Sequence, residues 1–140
     1  MLLVIPCLRL GREALAVALW PGEPVPCRDD LARAAQKYFN RTGWAAEIGV
    51  LVGKFAQKNL LHWEGRYYMI DAWAFRPNDG TDKNFEDDAT NEQHRRMADD
   101  SVHFARGRGW PIRGLSLEVA GRFAEEVFGW IYIDTKHTYE

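Results

Sequence analysis

The sequence predicts an α/β fold built on a doubly wound, mostly parallel sheet with its strands in the order 3-2-1-4. Three observations predict it. Short apolar runs alternate along the chain with segments of helical period, so strands and helices take turns. The strand runs are close to continuously apolar, as in a sheet covered on both faces. Three of them carry a carboxylate at or near the C-terminal end, Glu47, Asp71 and Asp134, and that edge is where such sheets bind ligands.

Each element follows from its residues. Residues 1–27 hold four of the six prolines (Pro6, Pro21, Pro24, Pro26) and read as a leader without regular structure. Asp29 then caps a helix whose Leu31, Ala34, Ala35 and Tyr38 share one face, and Gly43 stops it. Trp44–Val50 is apolar except for Glu47 and predicts the first strand. Lys54–Leu61 predicts a helix that starts after Gly53. Tyr67–Asp71, rich in aromatic and branched side chains, predicts the second strand. Asn78–Asp88 is polar and reads as a solvated loop. Thr90 with Gln93 suggests a capping box that opens a helix running to about Ala105. Arg106–Trp110 reads as a glycine-punctuated turn, and Ile112–Leu115 as the third strand. Leu117, Ala120, Phe123, Ala124 and Val127 keep a helical period. Trp130–Asp134 predicts the fourth strand. Right-handed crossovers between parallel strands lead to the doubly wound, Rossmann-like arrangement.

Composition bounds the function. The chain has 140 residues, 46% hydrophobic and 27% charged, with a formal net charge of -2. This is one folded domain, not a disordered chain. No basic stripe points to nucleic acid; Arg106, Arg108 and Arg113 lie among glycines and read as a loop. The two cysteines, Cys7 and Cys27, have no metal-site spacing and read as free thiols in a reducing compartment. Met1–Leu8 is too short to span a bilayer and lacks a basic leading segment, so the expectation is a cytoplasmic chain without a membrane partner. His62, His94 and His103 read as surface or helix-packing residues, and Trp63, Trp73 and Trp110 as core or loop anchors.

The chemistry concentrates in Glu47-Ile48-Gly49-Val50-Leu51-Val52-Gly53, between the first strand and its helix. Glycines here allow a sharp turn and close approach of backbone to a ligand. Asp71 lies 71 − 47 = 24 residues beyond Glu47, at the end of the next strand, where an acid can accept hydrogen bonds from ribose hydroxyls. Together they point to a nucleoside-containing cofactor. The spacing Gly49-x-x-x-Gly53 with bulky residues between differs from the GxGxxG that admits a pyrophosphate. S-adenosylmethionine has a ribose and a carboxylate but no phosphate.

At these residues the sequence resembles the class I S-adenosylmethionine-dependent methyltransferases, in particular their small-molecule methyltransferase-like domains. Glu47-Ile48-Gly49 with Gly53 is similar to the family's first motif, and Tyr68-Met69-Ile70-Asp71-Ala72-Trp73 to its second-strand segment. Gly114-Leu115-Ser116 with Glu118 and Ala120 resembles its third-strand turn, and Tyr132-Ile133-Asp134-Thr135-Lys136-His137-Thr138-Tyr139 its fourth. The resemblance covers Trp44 to Glu140 and implies that residues 28–140 form the N-terminal part of such a domain, ending after the fourth of seven strands. It implies that Glu47, Gly49 and Gly53 line the methionyl end of S-adenosylmethionine and that Asp71 takes the ribose. Leu115 and Ser116 would lie near the adenine, and Asp134 beneath the sulfonium. His137 could act as the base that deprotonates an acceptor hydroxyl. Some members use a divalent metal; Lys136 and Thr138 beside His137 give it no support here, and no metal ligands are assigned.

The expected function is therefore methyl transfer to a small-molecule nucleophile, most readily oxygen, with the acceptor unnamed. The alternatives are a non-catalytic nucleotide-binding fragment or pseudoenzyme, and an NAD-dependent oxidoreductase. A chain ending after its fourth strand would leave that strand at an open edge, where self-association is expected.

Overall fold

The computed structural model describes residues 28–39, 43–74 and 87–135. Four strands form one parallel sheet: β1 (Trp44–Ile48), β2 (Tyr67–Asp71), β3 (Gly109–Arg113) and β4 (Phe128–Ile133), in the order β3-β2-β1-β4. The helices are α1 (Leu31–Phe39), α2 (Lys54–Leu60), α3 (Asp88–Ser101) and α4 (Ser116–Ala120), with single 3-10 turns at Arg28–Asp30 and His103–Ala105. This is the predicted α/β, Rossmann-like strand order. The chain steps outward from β1 to β2 to β3, then returns past β1 to lay down β4. The reversal makes the C-terminal ends of β1 and β4 the topological switch point.

Alternation along the strands divides the sheet into two faces. Ala45, Tyr67, Met69, Trp130 and Tyr132 belong to a core shared with α1, α2 and α3 through Leu31, Ala35, Phe55, Leu60 and Ala98. The opposite face carries Ala46, Tyr68 and Ile70, packed with Val119 of α4 and the half-buried Trp44, Ile112, Phe123 and Phe128. Edge-to-face contacts such as Tyr68–Phe123 (centroids 5.0 Å apart) and Tyr68–Phe128 (5.9 Å) hold that cluster. The crossovers β1-α2-β2 and β2-α3-β3 thus lie on one face and β3-α4-β4 on the other, as right-handed connections require when the direction of stepping reverses.

Several boundaries differ from expectation, each for an identifiable reason. The helix expected to open at Thr90 with a Gln93 capping box starts at Asp88. Asp87, in extended conformation, is its cap, and its carboxylate accepts the Thr90 N–H at 2.7 Å. The third strand, expected at Ile112–Leu115, starts three residues earlier. Gly109 is a strand residue, paired with Tyr67; a side chain there would collide with Val102, so this glycine serves packing and not a turn. Pro111 is tolerated because β3 lies at the sheet edge. The helix expected over Leu117–Val127 ends at Ala120. Leu117, on its expected apolar face, is 89% exposed, while Phe123 joins the aromatic cluster from the turn that follows. The first strand stops at Ile48, two residues short of Val50. The fourth runs from Phe128 to Ile133, so Asp134 lies just past it. The leader over residues 1–27, most of the Asn78–Asp88 loop and His137 lie outside the described residues.

Candidate functional site

The strand order brings three carboxyl groups to one edge. Asp71 is the last residue of β2, Glu47 is the penultimate residue of β1, and Asp134 follows β4. The loop between β1 and α2 lies between them and is held from both sides. On one side Asp71 Oδ2 accepts the N–H groups of Val50 (2.7 Å) and Leu51 (2.9 Å). Its Oδ1 accepts the Trp73 N–H at 3.0 Å, and the Trp73 indole donates back to the Leu51 carbonyl at 2.8 Å. On the other side the Asp134 N–H donates to the Ile48 carbonyl at 2.8 Å. That approach is close enough that a side chain at Gly49 would fall on the Asp134 carbonyl.

Local conformation makes this possible. Gly49, Leu51 and Gly53 all have positive φ (89°, 57° and 76°). Neighbouring backbone N–H groups in such a loop converge on an anion, forming the concavity that elsewhere cradles a phosphate. Here the anion is the chain's own Asp71. Gly53 has a second reason: a side chain there would strike Ser101 and Ala98 of α3. Both motif glycines are thus required by the packing of the chain on itself.

Glu47 is 1% exposed and lies on the helix-covered face. The Tyr67 hydroxyl donates to its Oε2 at 2.9 Å, and Asn59 Nδ2 donates to that hydroxyl at 2.7 Å. Burial pushes the Glu47 carboxyl from its ordinary 4.5 up to about 8; the Tyr67 hydrogen bond opposes this, while the negative charges of Asp134 and Asp71 add to it. Glu47 is therefore protonated at neutral pH, which is how an acid inside an apolar strand is accommodated. Burial also pushes the Tyr67 hydroxyl well above its usual range, reinforced by the adjacent Glu47.

Asp134 is half exposed and pairs with Arg28, whose Nη1 lies 2.8 Å from Oδ2. The same nitrogen reaches the Tyr132 hydroxyl at 3.4 Å, and the guanidinium lies over the Phe55 ring, 5.3 Å from its centroid. Leu115 and Ser116, both exposed, follow β3 beside β2, where the Gly114 N–H donates to the Asp71 carbonyl at 2.9 Å. The edge thus gathers Gly49, Asp71 and Asp134 around one loop, while Leu115 and Ser116 follow β3 on the far side of β2. Gly53 stands behind the loop against α3, and Glu47 is buried beneath.

Six participants are not assigned to this site by the sequence: Arg28, Phe55, Asn59, Tyr67, Trp73 and Tyr132. Trp73, expected as a core or loop anchor, anchors the loop. The only local signal for Arg28 is its place just before the first helix, since its partner is 106 residues away.

The two loop amides that would cradle a pyrophosphate are already taken by Asp71. An ionised carboxylate offers about four acceptor positions, and among the described residues three on Asp71 are used. Among the described residues, no group of three or more His, Cys, Asp or Glu side chains is arranged to hold a metal ion, and no helix is long and apolar enough to cross a membrane.

No protein-family model, curated protein or solved structure matches this chain.

Proposed function

We propose that this chain binds S-adenosylmethionine at the C-terminal edge of its sheet and serves methyl transfer to the oxygen of a small-molecule acceptor. The observation that carries the reading is Asp71: at the end of β2, it fills the anion concavity of the glycine loop with its own carboxylate and keeps an acceptor position in reserve. A site so arranged favours a ribose without a phosphate over a pyrophosphate, which also weighs against NAD.

In this reading Asp71 holds the ribose, Leu115 and Ser116 flank the base, and the Gly49 loop and Asp134 border the reactive end. The bound cofactor supplies an electrophilic methyl group on a sulfonium. The chain's task is alignment, because a direct displacement needs reactants held in line more than it needs covalent help. His137, three residues beyond Asp134, is the proposed base for the acceptor hydroxyl.

Calorimetric titration of the full chain with S-adenosylmethionine, with NAD as a control, tests the reading. The expected result is binding of S-adenosylmethionine, silence with NAD, and loss of binding in Asp71→Asn with folding verified by circular dichroism. A folded wild-type chain that binds NAD and not S-adenosylmethionine would overturn it. Binding without turnover on any acceptor would favour a non-catalytic nucleoside-binding protein.

A further inference from the structure

The Arg28–Asp134 pair lies at the switch point, yet a purely stabilising role explains it poorly. Its side chains are 41% and 50% exposed, and ion pairs that wet contribute little to stability. Even so, the guanidinium is held by several partners: Asp134, the Tyr132 hydroxyl and the Phe55 ring. The 3-10 turn that carries it is tied to α2 by an Asp29–Lys58 ion pair. This is a positioned charge at the ligand-binding edge of the sheet.

The pair also has spare capacity. Among the described residues, both hydrogen bonds from Arg28 leave from Nη1, and the ion pair ends on Asp134 Oδ2. An arginine has five N–H donors and a carboxylate two oxygens. The Nε and Nη2 side of the guanidinium and Asp134 Oδ1 therefore keep hydrogen-bonding capacity. A fork of donors beside an open carboxylate oxygen, with no net charge between them, matches neither a phosphate nor a simple cation. It matches a group that brings one charge of each sign.

We propose that Arg28 and Asp134 together receive the zwitterionic α-amino-acid head of a ligand, its carboxylate on the Arg28 fork and its ammonium on Asp134. Four charges of alternating sign then close a ring in which every charge has an opposite neighbour. A phosphate at this place would face Asp134, and a lone cation would face Arg28. Two ligands could bring such a head: the methionyl end of the cofactor or an amino-acid acceptor. The inference deepens the methyl-transfer reading and rests on it only for the nucleoside.

The test uses the full chain, wild type and with Arg28→Gln or Arg28→Lys, each verified as folded. Three kinds of probe are titrated: S-adenosylmethionine; 5′-methylthioadenosine, which keeps the nucleoside and lacks the amino-acid head; and a set of free amino acids, alone and with saturating S-adenosylhomocysteine. Losing a charge-assisted contact of this kind corresponds to about 10- to 100-fold in affinity. If the cofactor supplies the head, Arg28→Gln weakens S-adenosylmethionine by that factor, leaves methylthioadenosine unchanged, and Arg28→Lys falls between. If an acceptor supplies it, S-adenosylmethionine is unaffected and an amino acid loses affinity instead. Binding of S-adenosylmethionine that is indifferent to Arg28, with no amino acid bound in an Arg28-dependent way, overturns the zwitterion proposal and leaves the methyl-transfer reading standing. If neither nucleoside binds, the cofactor reading falls. The amino acids alone then decide: Arg28-dependent binding supports the proposal and its absence overturns it.

Discussion

Replacing Glu47 with Gln should make the chain more stable than wild type at high pH and leave it nearly unchanged at low pH. The direction follows from burial. Glu47 is 1% exposed, and its pKa is raised from 4.5 to about 8 on folding. Below pH 4.5 the side chain is protonated in the folded and unfolded chain alike, and its full contribution is present. As pH rises above 4.5 the unfolded chain releases the proton while the folded chain retains it, so stability falls. The fall continues to about pH 8 and then levels off, because both states are ionised. An interval of about 3.5 pH units at about 1.4 kcal/mol each amounts to about 5 kcal/mol at full extent, of which about 3 kcal/mol has been lost by pH 7. That is a large share of the roughly 5–15 kcal/mol that holds a domain folded. Gln has nearly the same shape and keeps an oxygen to accept the Tyr67 hydroxyl, but it cannot ionise. Urea unfolding of both proteins from pH 4.5 to 9 measures the difference directly. The wild type should lose stability along this range relative to the variant. A difference that stays flat with pH, or a Gln variant that is the less stable at pH 8.5, would refute the assignment of Glu47 as a buried neutral acid.

Two further predictions concern local structure. Gly49→Ala places a side chain against the Asp134 carbonyl at a φ of +89°; the left-handed backbone alone costs about 1–2 kcal/mol, so thermal melting should move clearly downward, and a melting curve superimposable on wild type would show that β4 does not close on the loop this way. Asp87→Ala should lower the melting temperature and Gln93→Ala should not, since Asp87 and not Gln93 lies at the start of α3; equal effects would restore the capping box at Thr90 and Gln93.

Much of the fold could be read from single residues and their spacing. β1 and β2 are apolar runs with glycine or a carboxylate at the end, and their context in the sheet agrees with their local preference. β3 was harder because Gly109 and Pro111 carry turn chemistry. Only the tertiary position explains them: an edge that needs no N–H from Pro111, and a Val102 side chain that leaves no room at residue 109. The helical period of Leu117 and Phe123 overstates α4, because Leu117 points to solvent and Phe123 packs beside Val119 from the turn beyond the helix. The same division holds for the site. The sequence places Glu47, Asp71 and Asp134 at one edge, because strand ends can be read from the runs they close. It says nothing of what each touches. Two of the partners of Asp71 lie 20 and 21 residues back, and the hydrogen-bond partners of Arg28 more than 100 residues ahead, at separations that no local pattern encodes.

The position of β4 has a consequence for synthesis. β1 is an interior strand, yet one of its neighbours, β4, is made long after it. Until about residue 133 has left the ribosome, β1 has one unpaired side, and Phe55, Trp63 and Tyr67 lack the rings of Tyr132 and Trp130 that they later meet. The nascent chain therefore carries an exposed aromatic surface until β4 emerges, the condition in which chaperones engage and chains mispair. Closure of β4 on β1 joins segments more than 80 residues apart, so completion of this sheet waits on β4.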